Sequence, residues 1–190
     1  MTYAPQVLAT RVLPRSRVAT VMAVVGFAVL TAVAAQWWIV LPFTPVPITG
    51  QTFAVLLSGA ALGWRAGAAS QMLYLGMGFV GLPVFTEGAS GIDKLLGATG
   101  GYLIGFVMAA AVVGVLAERG LDRRLPASVL AFLAASLVIY SFGVAGLMVN
   151  LGMSFGQAVT LGVVPFVIGD GLKAVAAGVL TPATWRLLER

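Results

Sequence analysis

The chain contains no cysteine and no histidine, and only 9% of its 190 residues are charged. Without cysteine there is no disulfide and no thiolate metal site, and redox usage gives no clue to compartment. Without histidine there is no imidazole base and no imidazole-ligated metal. The shortage of charge says most. A soluble domain has about one quarter charged residues, whereas here 60% are hydrophobic and the mean hydropathy is +1.03. The composition is that of an integral membrane protein, and its length allows one domain of several spans. Enzyme signatures are missing too: there is no His-Glu-x-x-His, no Gly-x-Ser-x-Gly and no phosphate-binding Walker A loop. No cofactor or metal is expected, and any ATP must be used by a partner.

The net charge of +5 points to topology before it points to nucleic acid, because basic residues in membrane proteins first mark the cytoplasmic side. Residues 1–17 carry Arg11, Arg15 and Arg17. They look like the start of a signal peptide, but the apolar run that follows, 18–41, is too long for one. It is expected to be a first span behind an uncleaved cytoplasmic segment, since about 20 residues cross the hydrocarbon core. Trp37 and Trp38 near its end suit the membrane interface.

Residues 42–51 hold three prolines and cannot be helical. Further spans are expected at 52–62, 66–82, 98–116, 126–149 and 165–188. They are separated by a turn at Gly63-Trp64-Arg65, a glycine-rich loop at 83–97 and a charged loop at 118–125. Ser154-Phe155-Gly156-Gln157 has the pattern of a capping box opening a short helix before the last span. This gives an all-α, six-span bundle over 18–188. The termini and the loops at 65 and 118–125 lie on one side, and all nine arginines fall there (11, 15, 17, 65, 119, 123, 124, 186 and 190). The positive-inside rule makes that side, with both termini, cytoplasmic. The expected location is the cell (inner) membrane.

Against this background Asp170 and Lys173 stand out. They lie inside the last apolar stretch, three residues apart, where helical spacing lets them meet. A charged group at the centre of a span costs roughly 2.5–3.5 kcal/mol on insertion scales. At 1.5 Å per residue from Pro165, Asp170 is about 8 Å below the outer end of its helix, beneath the loops after spans 1 and 3. Either the pair is a packing ion pair or it belongs to an outward-facing binding pocket. Gly169 and Gly171 beside it leave room for a close approach. Gln51 and Thr49 either cap span 2 or contact a ligand. Asn150 is either an interface residue or a ligand contact, and Glu87, Asp93 and Lys94 are loop charges. Gln71 and Tyr74 suit interhelical hydrogen bonds. In span 1, Ala19/Ala23 and Ala28/Ala32 have small-xxx-small spacing, which suits internal packing or a docking face for another membrane protein.

Four stretches together resemble the BioY family. They are Val46-Pro47-Ile48-Thr49-Gly50-Gln51-Thr52-Phe53, Gly81-Leu82-Pro83-Val84-Phe85, Gly97-Ala98-Thr99-Gly100-Gly101-Tyr102-Leu103-Ile104-Gly105-Phe106, and Pro165-Phe166 through Gly169-Asp170 to Lys173. One departure is Ala98, where the family pattern has proline. The resemblance implies a substrate subunit (S component) of an energy-coupling-factor (ECF) transporter. Such a subunit captures biotin from outside, under the loop between spans 1 and 2, and works with a transmembrane coupling protein and a pair of cytoplasmic ATPases. It further implies that Asp170 accepts a hydrogen bond from the ureido ring of biotin while Lys173 donates to the ligand or neutralises Asp170. Trp37, Phe43 and Phe85 would form apolar walls, Gln51 and Thr86 would add polar contacts, and Lys94 would meet the carboxylate. The alternatives are a subunit for another vitamin, a solitary carrier, or a structural membrane protein held by a packing pair.

Overall fold

In the computed structural model, residues 7–14 and 16–188 are described; Arg15 and Arg190, expected on the basic side, lie outside them. A short helix α1 (Leu8–Val12) precedes α2 (Arg17–Ala35), whose N-cap Ser16 accepts from the Ala19 N–H. A two-residue antiparallel ribbon, β1 (Trp38–Ile39) and β2 (Ile48–Thr49), comes next, followed by α3 (Gln51–Phe79). The rest comprises α4 (Asp93–Leu96), α5 (Gly100–Glu118), α6 (Leu125–Leu151), α7 (Phe155–Gly162) and α8 (Val167–Leu188).

Among the described residues, α2, α5 and α6 are each long and apolar enough to cross a membrane. The bent pair α7–α8, broken by 55°, forms a further candidate. The remaining two spans are folded into α3, whose backbone breaks at Gly63 (φ 81°). Residues on either side of Gly63 meet across the break: Gln71 donates to Ser58 and Gln51 donates to Tyr74. Residues 51–62 and 64–79 are therefore an antiparallel helical hairpin turning on one glycine, where the left-handed φ excludes most side chains. The first arm is short for a span because it is surrounded by protein. Thr52, Val55, Leu56, Ser58, Gly59 and Ala60 are all buried, and α3 packs most extensively on α5.

Three expected boundaries shift. The first span ends at Ala35, not near residue 41, because the aromatic and β-branched residues after Gln36 pair as a strand. An apolar run by itself does not tell strand from helix. The last span starts at Val167, two residues after Pro165. The loop at 83–97 contains a 3-10 turn and α4. The capping box forms as expected: Ser154 accepts from the Gln157 N–H, and the Gln157 side chain accepts from the Ser154 N–H.

Hydrogen bonds assign the two ends of the bundle. At one end Glu118 accepts from the Trp64 N–H, and Trp185 donates to Asp122. The Gly63 turn, the α5–α6 loop and the end of α8 are thus gathered together, with Arg65, Arg119, Arg123, Arg124 and Arg186 on them. At the other end Thr44 donates to the Leu161 carbonyl, Gln36 to the Phe85 carbonyl, and Asn150 to those of Leu95 and Gly97. Here the ribbon, the 83–97 loop and the end of α7 form a cover over the helices.

Candidate functional site

Asp170 lies in the first turn of α8 and is buried. Its Oδ1 accepts from Lys173 Nζ (2.7 Å) and from Thr52 Oγ1 (3.0 Å), and its Oδ2 accepts from the Tyr140 hydroxyl (2.8 Å). Lys173 Nζ also donates to the Thr49 carbonyl (2.6 Å) and to Thr52 Oγ1 (3.1 Å). An ammonium has three donors, and each has an acceptor. The ion pair is thus embedded in neutral hydrogen bonds from α3 and α6, which is how a charge in low dielectric is made tolerable. The helical spacing of residues 170 and 173 places the pair. The extended Thr49, held next to α3 by strand pairing, supplies the carbonyl.

Above this floor is a narrow slot. Val46, Leu103, Phe106, Ile139 and Phe166 form its apolar walls. Its polar rim holds Thr49, Gln51, Thr86, Lys94 and Thr99. The open space is about 50 Å³, far below the ~300 Å³ or more of ordinary small-molecule sites, so its walls must part for a ligand to enter. One polar chain fastens the roof: Thr86 donates to Gln51 Oε1 (3.2 Å), Gln51 Nε2 to the Tyr74 hydroxyl (2.7 Å), and Tyr74 to the Val84 carbonyl (3.2 Å). Phe85 is buried in edge-to-face contact with Tyr74 and Phe79.

Of the residues singled out in the sequence, Asp170, Lys173, Gln51, Thr86, Phe85 and Lys94 come together around this slot. Trp37 and Phe43 do not. Their side chains are 75% and 59% exposed, because the ribbon turns Thr44 and Val46 inward and these rings outward. Trp37 keeps the expected exposure of an interface anchor. Asn150 is a brace as well, its amide spent on the Leu95 and Gly97 carbonyls that shape the loop before α5.

The docking face expected on span 1 is also corrected. Ala28 is fully buried in the core and Ala32 packs against that core, so this pair is internal packing. The outward face of α2 instead carries Val18, Val21, Met22, Val25, Val29 and Val33. Ala19 and Ala23 are half-buried near the N-terminal end of α2.

Sequence reasoning missed Tyr140, Tyr102 and Thr52. Tyr102 donates to the Gly162 carbonyl (2.6 Å) and lines the slot. A tyrosine inside an apolar span has a hydroxyl to satisfy, and that signal was available. Which partner it would find was not.

Comparisons with known proteins bear on the family and the fold. The model of the BioY family matches residues 8–190. A "Probable biotin transporter BioY" of Lysinibacillus sphaericus is 37% identical over 86% of this chain and 85% of its own. The "Biotin transporter BioY" of Thermotoga maritima is 40% identical over 75% of this chain and 83% of its own. A crystal structure of the S-component for biotin from an ECF-type ABC transporter superposes with a TM-score of 0.82 at 23% identity, covering 92% of this chain and 93% of that one. The fold is thus that of an ECF S component. With a family match along almost its whole length and relatives at this identity, the chain belongs to the BioY family.

Proposed function

We propose that this chain captures biotin at the outer face of the cell membrane, as the substrate-binding subunit of an ECF-type transporter. One observation carries the reading. In a BioY-family chain, a buried acid–base pair with a second hydroxyl layer forms the floor of an apolar slot. The ureido ring of biotin has two N–H donors and one carbonyl, and its fused thioether ring is apolar. Asp170 accepts from a ureido N–H, and Lys173 and Tyr140 donate to the carbonyl or hold the carboxylate in place. Charge-assisted bonds of this kind are about twice as strong as neutral ones. Phe106, Ile139 and Phe166 enclose the rings. Gln51, Thr86 and Phe85 form the rim, and Lys94 meets the carboxylate of the valeryl tail.

The arginine-bearing end is cytoplasmic by the positive-inside rule, which puts the slot outside. The energy for uptake comes from partners, a transmembrane coupling protein and a pair of cytoplasmic ATPases, and this chain contributes binding only.

Equilibrium binding of biotin and a panel of other vitamins to the purified chain in detergent tests the proposal. Biotin should bind tightest. Asp170→Asn should weaken it by about tenfold or more, the loss of a charged hydrogen bond, with an unchanged elution profile on gel filtration. Tighter binding of another vitamin, or unchanged affinity in the variant, would contradict the assignment.

A further inference from the structure

The slot does not end at its rim. Pro47, Lys94 and Thr99 line it and also line a second, roomier cleft of about 330 Å³, bounded by Val40, Thr44, Pro45, Glu87, Gly97 and Ala98. This cleft lies between the ribbon and the 83–97 loop, at the exit of the slot. Its size is the first notable feature, because a ligand held at Asp170 directs its far end here. The second is its charge. Glu87 Oε2 and Lys94 Nζ face each other at 3.5 Å, both partly exposed. An exposed pair of that length contributes little stability, so its members can exchange partners at small cost. The third is the backbone. Glu87 is the one non-glycine residue with positive φ among the described residues (68°). A carboxylate stands at a turn that glycine would occupy without strain.

For free biotin this acid is of no use, since its carboxylate wants Lys94 and is repelled by Glu87. A ligand with both charges at its outer end uses both. We infer that the site also takes biotin conjugated through its carboxyl as an amide to an amino acid, with biotinyl-lysine as the fitting case. The inference rests on the biotin reading above. The amide passes between Pro47 and Thr99. The lysyl methylenes lie along Val40, Pro45 and Ala98, the α-ammonium meets Glu87 and the α-carboxylate meets Lys94.

The test is direct binding of biotin and of biotinyl-lysine to the full chain in detergent, for the wild type, Glu87→Gln and Val40→Trp. Val40 is exposed, so tryptophan there fills the cleft without entering the core. The two ligands should bind the wild type within about tenfold of each other, and each variant should weaken the conjugate by about fivefold or more relative to biotin, the scale of one charged contact. Tight biotin binding with a conjugate more than about 100-fold weaker would overturn this inference and leave the biotin reading standing. Parallel loss of both ligands in the two variants would also overturn it. Failure of both ligands to bind the wild type would overturn the two together.

Discussion

At the residue scale, the Asp170 carboxylate has three donors, two of which come from other helices, Thr52 on α3 and Tyr140 on α6. Removing the Tyr140 hydroxyl leaves Oδ2 buried without a donor, which costs roughly 1–3 kcal/mol when a charged acceptor is involved. Tyr140→Phe should therefore lower the thermal midpoint in detergent and weaken biotin by about tenfold; an unchanged affinity would show that Oδ2 plays no part in binding.

A second buried acid lies at the opposite end, outside the spans. Asp122 accepts from Trp185 Nε1 (2.6 Å), and its Oδ1 is buried without a hydrogen-bond partner. Arg123 stacks on the same Trp185 ring at 4.3 Å. Burial pushes the Asp122 carboxyl above the ordinary carboxylate range, against the lowering by the Trp185 bond and the Arg123 charge. An acid raised in the folded state holds its proton there while the unfolded chain has lost it. Stability then falls as pH rises from about 4 through the folded value, and levels off above it. Asp122→Asn keeps an acceptor for Trp185 and should flatten the thermal midpoint across that window. A slope identical to that of the wild type would rule this out.

At the element scale, the break between α7 and α8 connects the cover to the floor. The last carbonyls of α7, Leu161 and Gly162, accept from Thr44 in the ribbon loop and Tyr102 in the slot wall, each at 2.6 Å. After four intervening residues α8 begins, and Asp170 is in its first turn. A cover tied to a helix end in this way opens by breaking few bonds, and the narrowness of the slot makes opening a condition of entry. Thr44→Val keeps the bulk but removes both this tie and the bond that the Thr44 hydroxyl accepts from the Val46 N–H, a loss of about 1–2 kcal/mol. It should speed biotin dissociation by about threefold to tenfold in stopped-flow measurements, with the floor network intact. Unchanged dissociation would mean that the Thr44 tie does not limit opening.

At the scale of the whole molecule, the bundle is closed by small residues more than by large ones. A Cβ at Gly59 would strike the Ala110 carbonyl on α5, whereas one at Gly76 meets nothing within 4 Å. The same substitution should therefore act with opposite sign. Gly59→Ala should lower the thermal midpoint, since overpacking costs typically 1–3 kcal/mol. Gly76→Ala should hold or raise it, by up to about 1 kcal/mol through the unfolded chain. Equal shifts in a melting experiment would show that the α3–α5 contact is looser than its geometry.

The sequence by itself determined the membrane class, the span count, the gathering of the basic loops at one end and the buried acid–base pair. Each follows from local quantities: run length against bilayer thickness, the sorting of arginines between loops, and the i, i+3 spacing of Asp170 and Lys173. Tertiary structure decided which side chains meet that pair. Tyr140 and Thr52 reach Asp170 from helices 30 and 118 residues away in the chain, and no local pattern encodes such a meeting. It also decided which way the residues beside the site face. Trp37, Phe43 and Asn150 are close to the cover in sequence but turned outward or spent on loop carbonyls, and Ala28 is turned into the core. The physical reason is the same in each case. Hydropathy records that a residue avoids water, and in a membrane both lipid and protein interior satisfy that preference, so only packing chooses between them.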